Sequence, residues 1–242
     1  MEEKLFENIV FEGRRRYYKE DLTERDYTLE CTTPYKLEIL GRVIEEHAWG
    51  KLLCEVARLL LELFPCFADK LLDFRCGWSD APMFAKQQKT NFKAVSGGFY
   101  INCNHTAQHS CWFLQDLLDF FEIDKSGVRF LIRRPSSAEP KEVKEYFEQK
   151  VKQEFIEYIC AEHGKNEENA IKIIDNIENC LNPMLKSISK SYDNFFLFDD
   201  YYVMLNYIIR IREKITSNLR YDEKIRKAVT KYFDYLIGYY KQ

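Results

Sequence analysis

Apolar residues recur at helical spacing over most of the chain, with shorter and less regular stretches near the N-terminus and the middle. From Thr33-Pro34, where threonine can cap free amides and proline suits a first turn, Leu37, Leu40, Ile44, Ala48, Leu52, Val56, Leu59 and Leu63 repeat every three or four positions. This spacing predicts a long helix over 34–64, ended by Pro65. A short helical piece follows to Arg75, and Gly77 closes it. Residues 77–91 carry turn formers and no apolar period, so a loop is expected there. Phe92 to Ile101 reads as a strand, weakened by Gly97 and Gly98. A helix from about His105 to Phe121 and a strand over 128–132 follow, and the three together are compatible with one βαβ unit. Residues 1–31 read as one or two short strands or an irregular arm.

The segment RRPSSAEP (133–140) carries two prolines and no core residue, which makes it the expected boundary. Beyond it the pattern is helical to the end. One helix carries Val143, Phe147, Val151, Phe155 and Tyr158 and stops at Gly164. A second carries Ile171 to Ile188, kinked at Pro183. A third spans about 196–216, and a last one carries Ile225, Val229, Tyr232, Leu236 and Tyr239. The expected architecture is α+β and predominantly α-helical: an N-terminal part (1–134) with a small sheet, packed on an all-α helical bundle (135–242).

The 242 residues include 16 Tyr and 18 Phe, and hydrophobic residues make up 46%, enough for a substantial core and unlike a disordered chain. A net charge of −3 gives no whole-molecule attraction to nucleic acid or anionic lipid, so a nucleic-acid role would need a local basic face. No window reaches the roughly 18 apolar residues of a membrane span, and the first residues lack the apolar run of a signal peptide. A cytoplasmic protein with no membrane partner is expected. Its eight cysteines would there be mostly reduced.

Reactive side chains are densest from Ser96 to Cys111, where two of the four histidines and two of the eight cysteines lie. Cys103, His105 and His109 are soft ligands that suit Zn²⁺, the one cofactor the sequence suggests. His105 and His109, four apart, share a helix face, whereas Cys111 lies about 200° round from His109. Without a metal, the same stretch suggests a ligand pocket. Gly97 and Gly98 allow close backbone approach, and a helix start near Asn104 offers free amides to an anion. Cys103 beside that start would then be a low-pKa nucleophile with His105 or His109 as base. There is no Cys-x5-Arg loop, P-loop, His-Glu-x-x-His, Gly-x-Ser-x-Gly or Cys-x-x-Cys. Trp78 and Asp80, in the expected loop, add ligand-binding candidates.

Two further features bear on nucleic acid. Arg42 and His47 have an Arg-x4-His spacing that resembles the Arg-x4-6-His motif of HEPN-type ribonucleases. The resemblance covers these two residues only. It implies a helical, often dimeric fold in which Arg and His act on a phosphodiester across a dimer cleft. Val43 departs from the usual polar residue, and the motif lies in the first long helix rather than late in the bundle. Residues 210–231 hold eight Lys/Arg against three acids, with Arg220, Lys224, Lys227 and Lys231 forming one helical stripe able to contact phosphates. Arg14-Arg15-Arg16 is a smaller basic cluster. No catalytic set is complete, so the leading expectation is a non-catalytic binding or regulatory protein. Its surface lies around 77–111, and its partner is another protein or a second copy of itself. The alternatives are a thiol or zinc enzyme using Cys103, His105 and His109, and a nucleic-acid protein.

Overall fold

Leu40 and Gly41 both have positive φ, 50° and 71°, which is the signature of a two-residue hairpin turn rather than a helix. The structure is a computed structural model describing residues 6–12, 14–164, 166–216, 230–232, 234, 235 and 238. In it the expected helix 34–64 is replaced over its first part by a hairpin. β3 (Thr33–Ile39) turns back on β4 (Arg42–Glu45), with Ile39 opposite Arg42 and Leu37 opposite Ile44. Only Trp49–Leu63 is helical, and it forms α1. Leu37 and Ile39 are buried as alternate residues of a strand. Pro34, read from sequence as a helix start, lies in β3 where the pairing with its neighbour shifts register, since proline has no N–H to donate.

The strands before this hairpin are β1 (Ile9–Glu12) and β2 (Arg15–Glu20). After α1 come β5 (Phe84–Ala85), β6 (Phe92–Ala94), β7 (Tyr100–Asn102), helix α2 (Ala107–Phe120) and β8 (Arg129–Arg133). Five strands form an antiparallel sheet in the order β1-β2-β8-β3-β4, and three form a second sheet in the order β5-β7-β6. The expected strand 92–101 is thus a hairpin. Gly97 and Gly98, at φ 68° and 72°, reverse the chain so that Ala94 faces Tyr100. Because β7 and β8 belong to different sheets, the stretch is not a βαβ unit.

The described residues fall into two units: 6–10 with 16–134, and 11–12 and 14–15 with those from Pro135 onward. In the first, Phe130 and Ile132 of β8 face Leu37 and Pro34 across one pairing and Glu20 and Tyr18 across the other. The Trp49 ring meets Phe130 edge-on at 5.6 Å. Leu52, Leu53 and Val56 of α1 and Phe113, Leu114 and Leu117 of α2 complete a core from which water is excluded.

In the second unit, α3 (Lys141–His163) ends at Gly164, whose φ of 56° is the left-handed conformation of a glycine stop. Asn166 caps α4 (Glu167–Asn176), accepting the Asn169 amide at 3.1 Å. The kink expected at Pro183 takes the form of a wide π turn over Ile177–Leu181, in which the Asn182 amide reaches back to the Ile177 carbonyl. Helix α5 (Asn182–Ile188) follows, with Pro183 in its first turn. Asp200 caps α6 (Tyr201–Thr216) through the Tyr202 and Val203 amides, so the expected third helix begins later than 196. Phe155, Ile159, Ile177, Phe195, Phe196 and Tyr232 form the core of this unit. Of the last expected helix, residues 230–232, 234, 235 and 238 are helical and the rest lie outside the described residues. The protein is a mixed α+β fold, predominantly helical. Among the described residues no helix is long and apolar enough to cross a membrane.

Candidate functional site: an aromatic row on helix α2

Helix α2 begins where Thr106 accepts the His109 amide at 3.2 Å, so the side chains at 109, 112 and 116 run along one face, and His105 lies just before the cap. His109 lies flat on the Trp78 indole (4.5 Å between ring centres, 16° between planes), and His105 meets the same indole edge-on at 5.1 Å. Trp112 follows, 5.4 Å from His109, and Tyr27 meets it edge-on at 5.0 Å. The Arg25 guanidinium lies 5.4 Å from the Trp112 ring centre. Such ring and cation contacts are each worth about 0.5–1.5 kcal/mol. The row is partly open: its rings at 78, 105, 109 and 112 are half-buried, and Tyr27 is 69% exposed.

Polar contacts hold the row in place. Asp116 accepts from Arg25 at 2.5 Å and from the Gly77 amide at 2.9 Å, fixing the approach of the 77–78 segment. The Trp112 indole donates to the Asp26 carbonyl (3.2 Å), and the buried Gln115 amide donates to the Leu22 and Glu24 carbonyls (3.2 and 2.6 Å). Below them Arg134 pairs with Asp26 (3.0 Å) and Glu20 (3.4 Å). Burial pushes the Glu20 carboxyl up to about 7, with Arg134 opposing and Asp26 reinforcing the shift.

Two polar atoms at the inner end of the row have no hydrogen-bond partner among the described residues: Trp78 Nε1 and His105 Nε2, both buried. Burial lowers the His105 pKa, against its hydrogen bond to the Asn102 backbone. The imidazole is therefore neutral at pH 7. Its Nε2 makes no hydrogen bond, like the Trp78 indole nitrogen. Two unpaired ring nitrogens thus lie on neighbouring rings.

Several expected site residues are placed otherwise. The Cys103 thiol contacts Cys54 Sγ (3.4 Å) and the Ile101 carbonyl (3.5 Å), while the imidazoles pack on Trp78. Among the described residues no three His, Cys, Asp or Glu side chains are grouped to hold a metal ion, so Cys103, His105 and His109 are not assembled as a zinc site. The Cys103 thiol is raised, not lowered, by its hydrogen bond to Cys54 and by burial. That is the reverse of an activated nucleophile. Gly97 and Gly98 form the β6–β7 turn. Asn104 is exposed, its amide bonded to Asn102 Oδ1 at 3.2 Å, and Asp80 is exposed near Trp78.

Arg42 is exposed on strand β4 and His47 is exposed beyond it, stacked 5.7 Å from Tyr35. The helical setting implied by the ribonuclease resemblance is absent. Arg220, Lys224 and Lys227 lie outside the described residues, and Lys231 is partly buried. Arg14 is buried against Glu154 and Tyr235, and Arg15 pairs with Asp200 at 3.0 Å, so these two arginines face acids and a tyrosine. Cys54, Gln115 and Arg25, which shape this region, carry no sequence signal: each meets its partner across 49 or more positions. No family model matches the chain, and no curated protein or solved structure does either.

Proposed function

We propose that this is a non-catalytic binding protein whose partner surface is the row Tyr27, Trp112, His109 and Trp78, ending at His105. The observation that carries this reading is the unpaired pair of polar atoms, Trp78 Nε1 and His105 Nε2, beside half-open rings. A buried donor or acceptor left unsatisfied costs about 1–3 kcal/mol, so a ligand that satisfies both regains that cost on binding. The complementary group is flat, to stack on the rings, and offers one acceptor and one donor side by side. A carboxamide side chain of a protein partner has this chemistry, and Arg25 at the outer end favours a neutral or acidic neighbour.

The three tryptophans supply the test. Trp49 donates to the Thr32 carbonyl at 2.9 Å and is buried in the core, so its indole N–H resonance is an internal control. In ¹⁵N-tryptophan-labelled protein, N-acetyl amides of asparagine, tyrosine and tryptophan are expected to move the Trp78 and Trp112 indole signals and leave Trp49 in place. His109→Ala should weaken the response. Silence of Trp78 towards every amide, or equal movement of all three indoles, rejects the reading. A response to nucleosides alone would transfer the surface to nucleic acid.

A further inference from the structure

Two thiols far apart in sequence meet beside the first turns of α1. Cys54, on that helix, is 7% exposed, and its sulfur lies 3.4 Å from that of the half-buried Cys103, which directly follows β7. We propose that Cys54 and Cys103 are a redox-active dithiol, which closes to a disulfide when a low-molecular-weight disulfide such as oxidised glutathione accepts its electrons.

The backbones of the two segments lie close together. Gly50, one turn before Cys54, is so close to the Cys103 segment that a Cβ added there would lie 3.0 Å from Cys103 Cβ and 3.2 Å from its carbonyl oxygen. A disulfide is about 2.05 Å long, so the sulfurs need to approach by about 1.4 Å, within the range of side-chain rotation. The Lys93 ammonium reaches the same spot, 3.4 Å from the added Cβ, and its charge favours a thiolate on either sulfur. The hydrogen bond from Cys103 lowers the Cys54 thiol, and the same bond with burial raises Cys103. The first proton to leave is therefore that of Cys54, with Cys103 as its hydrogen-bond donor. Cys76 and Cys111 are different: burial raises both thiols, and nearby carboxylates raise them further.

In the exchange, the Cys54 thiolate attacks one sulfur of the small disulfide, whose S–S bond breaks and whose other half leaves as a thiolate. The second protein thiol loses its proton and attacks the protein sulfur of the mixed disulfide, expelling the remaining half. Two electrons pass to the reagent, and two protons end on two small thiols. The product ties α1 to the segment that runs through His105 into α2.

The test uses the full chain, incubated natively with oxidised glutathione, quenched in acid, digested without reduction and mapped by mass. A Cys54–Cys103 cross-linked peptide should accumulate and disappear with reduced glutathione, while the exposed Cys31 and Cys66 acquire glutathione. The oxidised protein should melt several degrees higher. Cys103→Ser should abolish the cross-link. Both cysteines persisting as thiols while Cys31 and Cys66 react, or halting as mixed disulfides, overturns the proposal. The wild-type map needs no substitution, so it decides the matter even where a variant fails to fold.

Discussion

Replacing Glu20 by glutamine should stabilise the protein above neutral pH and leave it nearly unchanged in mild acid. Glu20 pairs with Phe130 across β2 and β8, and its side chain is 6% exposed, so its carboxyl is shielded from water. Three neighbours act on it: Arg134 at 3.4 Å favours the charged form, while burial and Asp26 favour the neutral one, and the balance lies at about 7 against an ordinary 4.5. Because the folded state binds this proton more tightly, the contribution is fully present below 4.5 and is lost as pH rises towards and through 7. Each pH unit in that window is worth about 1.4 kcal/mol, so the loss totals about 3 kcal/mol. Glutamine mimics the neutral acid, its carbonyl can still accept from Arg134, and Asp26 keeps the guanidinium paired. Urea unfolding followed by tryptophan fluorescence is well suited, because Trp49, Trp78 and Trp112 all lie in the unit that holds Glu20. The expected stability difference is within about 1 kcal/mol near pH 5 and grows to about 2–3 kcal/mol in favour of the variant near pH 8. A flat difference, or a variant that loses ground as pH rises, would show that Arg134 outweighs burial and would refute the reasoning.

Other substitutions probe separate contacts. Gly50→Ala places a methyl 3.0 Å from Cys103 Cβ. Despite the better helix propensity it should lower stability by about 1–3 kcal/mol, visible as a reduced urea midpoint; an unchanged midpoint would mean that the segment yields. Gln115→Leu leaves the Leu22 and Glu24 carbonyls without their donor, and a loss of about 1–3 kcal/mol is expected in the same assay. Leu40→Asn should raise stability by about 0.5–1 kcal/mol, since φ of 50° suits asparagine better than leucine; a fall would indicate that the half-exposed Leu40 side chain packs on something. Phe155→Ala, in the helical unit, should cost about 3–5 kcal/mol by circular dichroism.

Local chemistry is decisive wherever the sequence foretells the fold. The helix opening near His105, the strand around Phe130 and the stop at Gly164 all follow from spacing and a terminating or capping residue. The 33–45 hairpin is hidden because Leu37, Leu40, Ile44 and Ala48 fit a helical period as well as two short strands. Only the Leu40-Gly41 turn separates the two. The glycines at 97 and 98 stand out in the sequence as weak points of a strand, yet their positive φ makes them its reversal. A spacing of four suggests one helix face for His105 and His109, yet His105 lies before the Thr106 cap and outside the helix. Their common contact with Trp78 is not a matter of spacing either, because a ring some thirty positions away is placed by the Asp116–Gly77 bond. Cys103 groups with the histidines in sequence, whereas its partner in space, Cys54, lies on helix α1. No local rule links it to Cys54.

Strand β4 ends the five-stranded sheet, and an outermost strand is a template on which foreign chains can polymerise. This one is only four residues long and is bracketed by the exposed charges of Arg42 and Glu45 around the exposed Val43. Brevity and flanking charge are the devices that keep such margins from adding strands intermolecularly. Arg42 thus has a use unrelated to phosphodiester chemistry: neutralising it together with Glu45 would leave a bare apolar border open to fibre formation.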